Sequence, residues 1–194
     1  MKKTVFIYSV LFIVSIAISY FGVIDLQKIS TIFKREHQYI PTYSKTHKQE
    51  INLIYVGSSS CKFCKNKALY KSVDKAKSLM YEKSMKLGVG FSAIGIAINL
   101  DPKRGFEHLQ KYGYFNEVIT GNNWNNNGTI KYMGKMSFET STPQIILTFR
   151  TYTEYIHTKV ENEKEIVNYA GLKNILNWVQ EGAPLPKKFI KEIE

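Results

Sequence analysis

The chain has 194 residues, enough for one folded domain with a real core and too few for two ordinary ones. With 44% hydrophobic and 13% aromatic residues it carries more apolar side chain than a disordered protein, so disorder is expected only at the ends. The formal net charge of +11 favours acidic partners or anionic surfaces, but the lysines are scattered through predicted helices and turns without any nucleic-acid-binding pattern, and nucleic acid is set aside as a partner.

Lys2 and Lys3 precede an uncharged apolar run from Val5 to Ile24. A run of about 20 residues is long enough to span a bilayer, and the two lysines would stay on the cytoplasmic side. Ala17-Ile18-Ser19 also offers the small residues that a signal peptidase reads. Residues 1–24 are therefore expected to be a signal-anchor, touching the membrane through residues 5–24, or a cleaved signal peptide. Either places the remainder in the cell envelope, on the periplasmic or outer side. Residues 25–49 are polar and lack a long period, which suits a linker.

Ile51 to Val56 is a compact β-rich run ended by Gly57 and three serines, the pattern of a buried strand followed by a loop. From Lys62 to about Lys86 the apolar positions Leu69, Val73, Ala76 and Met80 recur at helical spacing, with Gly88 as a C-terminal cap. Val89 to Leu100 reads as a buried strand stopped by Asp101-Pro102, and Gly105 to Tyr112 as a short helix using Phe106, Leu109 and Tyr112. Residues 113–140 hold an amide-rich stretch from Asn122 to Gly128 suited to turns; Trp124 within it is expected to anchor in the core. Gln144 to Phe149 is the next strand, with Tyr155-Ile156-His157 as its partner across a turn near Arg150 to Thr153. Leu172, Ile175, Leu176 and Val179 mark a last helix, closed by Gly182 and a tail over residues 183–194. This order of elements indicates an α/β fold around a mixed sheet.

Only two cysteines exist, and both lie in Cys61-Lys62-Phe63-Cys64. A pair that closes so short a loop adds little stability as a structural disulfide, so chemistry is the better reason for it. Where a strand gives way to a helix, the first thiol meets unpaired backbone N–H groups and the positive end of the helix dipole, which favour a thiolate. Lys62, with Lys65 and Lys67, adds positive potential in the same direction, so Cys61 is the expected nucleophile. Cys64, one turn further in, can attack the first sulfur within a mixed disulfide and resolve it.

These features resemble the thioredoxin-like superfamily. Ile51 to Val56 looks like its central strand, Cys61-Lys62-Phe63-Cys64 its redox motif, and Ser141-Thr142-Pro143 before the next strand its cis-proline loop. The resemblance covers residues 50–182, with about 113–140 as an inserted segment before that loop. It implies a thioredoxin-like fold, a central mixed sheet flanked by helices, and a Thr142–Pro143 cis bond lying against the cysteines, with Thr142 and Pro143 binding substrate. It implies no cofactor, and as partners the protein thiols or disulfides of exported proteins together with a redox partner protein. Ser60 and Lys62-Phe63 depart from the tryptophan and Gly-Pro common in thioredoxins. The buried acid and lysine that move protons there have no counterpart, the comparable positions being Tyr55 and Ala97.

Two other classes compete. Cys-X-X-Cys is half a zinc knuckle, but His37, His47, His108 and His157 are isolated, and no metal site is expected. A redox-inactive binding module on the same scaffold, using the segment around Trp124 as its partner surface, is the stronger alternative.

Overall fold

The computed structural model describes residues 47–136, 141–153 and 160–193. The expected export segment, nearly all of the linker, and Tyr155-Ile156-His157 lie outside the described residues. Among those described, no helix is long and apolar enough to cross a membrane.

Five strands form one sheet: β1 (Gln49–Gly57), β2 (Gly90–Ala97), β3 (Glu117–Ile119), β4 (Gln144–Tyr152) and β5 (Val160–Ala170), in the order β3-β2-β1-β4-β5. β1, β2 and β3 are parallel, and β4 runs antiparallel to both β1 and β5. β1 is therefore central, and all but its first residue are buried.

Alternation along the strands sorts side chains into two cores. Ile51, Leu53 and Tyr55 of β1 face the larger core, where Leu69, Val73, Ala76 and Met80 of helix α1 (Lys67–Lys86) meet them, each fully buried. Each such Leu, Val or Met contributes about 1.5–3 kcal/mol by leaving water. Helix α2 (Pro102–Gln110) and helix α3 (Leu172–Gln180) add Leu109, Ile175, Trp178 and Val179 to the same core. Ile54 and Val56 face the opposite side with Ile94, Ile96, Ile98 and Ile146, under Tyr132 and Met133. The helix-ending role of Gly88 is realised at φ +69°: its N–H bonds the Met85 carbonyl, and the Val89 N–H bonds that of Ser84.

Several expected boundaries move, for identifiable reasons. Helix α1 does not begin at Lys62: Phe63–Lys65 form one 3-10 turn, Asn66 is extended, and its side chain caps α1 by accepting from the Ala68 N–H at 2.8 Å. Asp101-Pro102, read as a strand stop, also starts a helix; Asp101 accepts from the Lys103 N–H at 2.9 Å and Pro102 opens α2, as its fixed φ allows. Within α2 the side chain of Phe106 is 47% exposed, whereas Leu109 is buried with Tyr112 beyond it.

The inserted segment is more ordered than its composition suggests. It contributes β3, then a helical stretch over Asn127–Thr129 that runs on as a π-helix over Ile130–Met136, covering the second face of the sheet. Gly128 packs so closely on Ile96 and Ile119 that a Cβ would come within 2.8 Å of Ile96. Trp124 is not a core anchor: it stands 44% exposed on the 3-10 turn Asn123–Asn125. β4 continues through the expected turn at Arg150 to Tyr152 because β5, its long partner, begins only at Val160. The tail also holds helix α4 (Lys187–Ile193), whose buried Phe189 packs edge-on against Phe149, ring centroids 5.3 Å apart.

Candidate active site

β1 ends at Gly57, and the following loop delivers Cys61 above the carboxyl edge of the central strands. The Cys61 N–H bonds the Ser58 carbonyl at 3.2 Å. The loop is tied sideways as well: the Asn99 side chain donates to the Ser59 hydroxyl at 2.6 Å and accepts from the Ser59 N–H at 3.2 Å. The 3-10 turn then carries Cys64 down into the core.

The two thiols are free and unlike. Cys61 is partly exposed and Cys64 is fully buried. The Cys64 N–H points at the Cys61 sulfur at 3.2 Å, and the Cys61 thiol donates to the Thr142 carbonyl oxygen at 3.5 Å. The Thr142–Pro143 peptide bond is cis, and the Pro143 carbonyl accepts from the Gly171 N–H at 2.8 Å, which fixes the loop against the start of α3.

The electrostatics follow from this placement. Partial burial works against a Cys61 thiolate, yet hydrogen bonds from the Cys64 thiol, from the Thr142 side chain and from the backbone N–H groups of Cys64 and Phe63 outweigh it, and the Cys61 pKa is lowered. Burial dominates at Cys64 and, with the neighbouring Cys61 thiol, pushes its pKa up to about 12, against hydrogen bonds from the Ser58 backbone and Thr142. The N-terminus of α1 is displaced to Asn66, so these local donors act on Cys61 where the long helix was expected to. Lys62 is exposed, and the largest influences on Cys61 do not include a lysine.

Thus Cys61, Cys64, Thr142 and Pro143 converge, while Lys62 lies on the outer surface of the turn. Beside them runs a groove of about 470 Å³ whose lining includes Phe63, Ala170, Gly171, Leu172, Lys173 and Leu176. Phe63 offers 58% of its surface to solvent there. Among the described residues, no three His, Cys, Asp or Glu side chains converge as metal ligands.

Beneath the motif lie Tyr55 and Tyr112, which the sequence placed in the core without a polar role. The Tyr55 hydroxyl donates to that of Tyr112, which donates to the Cys64 carbonyl oxygen. A tyrosine inside an otherwise aliphatic strand was the available signal, since a buried phenol needs a partner for its O–H.

No family model matches the chain, and no curated protein matches its sequence. Among solved structures it is similar to a thiol:disulfide interchange protein from Bacteroides sp., at 15% identity over 73% of this chain and 78% of that one, with a TM-score of 0.40. It is also similar to the thioredoxin domain of a thiol-disulfide oxidoreductase from Bacteroides vulgatus, at 14% identity over 71% and 81%, with a TM-score of 0.36. The chain's own topology, with a central parallel strand feeding a Cys-X-X-Cys turn and an antiparallel strand entering at Pro143 beside the first thiol, is that of a thioredoxin-like fold.

Proposed function

We propose that this protein is a thiol–disulfide oxidoreductase acting on the cysteines of exported proteins in the cell envelope. The observation that carries the reading is the contrast between two thiols three residues apart: Cys61 accessible and acidified by hydrogen bonds, Cys64 buried and held protonated. A structural pair has no use for that contrast. A nucleophile and a resolving thiol require it.

In this reading the Cys61 thiolate attacks a substrate disulfide, forming a mixed disulfide and releasing one substrate sulfur as a thiolate. Cys64 then loses its proton and attacks Cys61, the Cys61–Cys64 bond forms, and the second substrate sulfur leaves. The substrate is reduced by two electrons and the pair oxidised; run backwards, the same steps oxidise a dithiol. Thr142 and Pro143 bind the substrate backbone beside Cys61, and Phe63 and Leu172 receive its apolar side chains. Lys62 would draw anionic groups toward the turn. Residues 1–24 would export the domain and residues 25–49 would tether it, with a second redox protein recycling the pair.

A Cys64→Ser variant tests the assignment, because nothing remains to resolve the adduct. Envelope extracts should yield disulfide-linked complexes that a reductant releases and that Cys61→Ser abolishes. Absence of any disulfide-linked complex, with partners still held noncovalently by the Cys61→Ser chain, would instead favour the binding-module reading, for which the exposed Trp124 offers a contact surface.

A further inference from the structure

A core that needed only volume under Cys64 could be filled by phenylalanine, as it is nearby by Phe115. Two tyrosines stand there instead, Tyr55 from β1 and Tyr112 from the turn just after α2, both fully buried, their ring centroids 4.2 Å apart. The space is made deliberately: a Cβ on Gly57 would lie 2.8 Å from the Tyr55 Cζ and closer still to its hydroxyl, so only glycine lets that ring fold up under the motif. Each phenol has one proton to give. Tyr55 gives its own to Tyr112, and Tyr112 gives its own to the Cys64 carbonyl, which leaves the Tyr55 oxygen free to accept. Burial first, and then the closeness of Tyr112 and Cys64, hold Tyr55 neutral.

We propose that Tyr55 and Tyr112 are positioning residues for the resolving half-reaction: Tyr112 fixes the Cys64 peptide group, and the Tyr55 hydroxyl turns from Tyr112 to donate to the Cys64 sulfur as it becomes a thiolate. This rests on the oxidoreductase reading above. In the step concerned, Cys64 releases its proton to solvent, its sulfur bonds to Cys61, the bond between Cys61 and the substrate sulfur breaks, and the departing thiolate takes up a proton. Charge must therefore form where burial opposes it. A neutral phenol that can reorient supplies a donor at that moment without keeping a permanent buried charge in the core.

The surroundings are consistent with such a neutral site. Around Cys64 are Cys61 and Thr142, the Ser58 backbone and Tyr112, with Tyr55 from β1 and Tyr70 from α1 packed against the Tyr112 ring. Burial raises all three phenols. His108, whose ring meets that of Tyr112 at 5.3 Å, is held neutral by burial and by Lys111 and Lys65, its pKa lowered to about 4.

The test separates the two chemical steps in the full chain, using a disulfide-bonded reporter peptide and rapid mixing. Tyr55→Phe and Tyr112→Phe should leave mixed-disulfide formation by Cys61 within about twofold. They should slow resolution by about tenfold or more, the worth of one hydrogen bond to a charged group, and move its pH midpoint upward. Tyr152→Phe removes a buried hydroxyl bonded to Glu50 on the other face and should change neither rate, which separates this effect from general loss of a core hydrogen bond. Resolution by Tyr55→Phe at the wild-type rate and pH midpoint overturns the inference, and that variant decides alone if Tyr112→Phe does not fold. A wild-type chain that forms no mixed disulfide with the reporter overturns the oxidoreductase reading as well, an outcome seen before any tyrosine is changed.

Discussion

The Cys61 sulfur lies 3.5 Å from the carbonyl oxygen of Thr142, a residue 81 positions further along the chain. The Thr142 side chain is also among the hydrogen-bonding groups that lower the Cys61 pKa. Thr142→Val, which keeps the shape and loses the hydroxyl, should therefore raise the pH midpoint for alkylation of Cys61. Labelling at pH 6 should slow severalfold, as expected for the loss of one hydrogen bond worth about 0.5–1.5 kcal/mol. An unchanged alkylation profile would remove Thr142 from the tuning of this thiol.

The same contrast predicts the order in which the cysteines react. Thiolate, not thiol, is alkylated, so Cys61 should label with a midpoint below that of an ordinary cysteine, while Cys64, its pKa up to about 12, stays unlabelled through neutral pH in the folded protein. Peptide mapping after a short pulse of iodoacetamide from pH 5 to 9 reads both sites at once. Faster labelling of Cys64 anywhere in that range would reverse the assigned roles.

The parts of this fold that bury a regular apolar pattern were legible from the residues alone. β1, the core face of α1 and β4 each present an apolar run or helical stripe that few alternatives can accommodate. β3 was not legible, because three residues, Glu117 to Ile119, carry too little pattern, and they become a strand only by pairing with Ile94 to Ile96. β5 was hidden by Glu161, Glu163, Lys164 and Glu165; as an edge strand it pairs on one side only, and its charges find partners on that side or in water. At the site, the motif and Pro143 could be found in sequence, but the Tyr55–Tyr112 pair could not, since its meaning depends on two elements that only the folded sheet brings together. The displaced start of α1 depended on a single side chain, Asn66, offering a better cap than the residues before it.

Gly57 and Tyr55 should show strong coupling. An alanine at Gly57 would place its Cβ 2.8 Å from the Tyr55 Cζ, so either the ring or the strand end must move. Gly57→Ala should cost about 1–3 kcal/mol, the usual cost of overpacking. In a Tyr55→Leu background the same substitution should cost clearly less, because the ring it collides with is gone. Urea denaturation of the four proteins in this cycle measures the coupling, and additive effects would show that the collision is relieved elsewhere.

The second face of the sheet holds a buried ionic cluster whose two carboxylates should respond to pH in opposite senses. Arg150, 5% exposed, bonds Glu163 at 3.0 Å and approaches Glu50 at 4.0 Å, and Lys131 also reaches Glu163. At Glu163 burial opposes ionisation, but Arg150, Lys131 and Thr148 outweigh it and lower the pKa. Its contribution to stability is therefore present above the carboxylate's unfolded value near 4.5 and is lost as pH falls through the lower folded value. At Glu50 burial exceeds the help from Tyr152 and Arg150, and the pKa is raised, so its contribution is present below the unfolded value and lost as pH rises through the folded one. Glu163→Gln strips Arg150 of its nearest counter-charge and should cost about 3–5 kcal/mol at pH 7, whereas Glu50→Gln, which removes a carboxylate ionised against its surroundings, should cost much less there. Below pH 4 the penalty of Glu163→Gln should shrink, since the wild-type carboxylate is itself being protonated. Denaturation of both variants at pH 7 and pH 3 decides the matter, and a Glu50→Gln penalty equal to that of Glu163→Gln at pH 7 would show that Arg150 depends on both carboxylates alike.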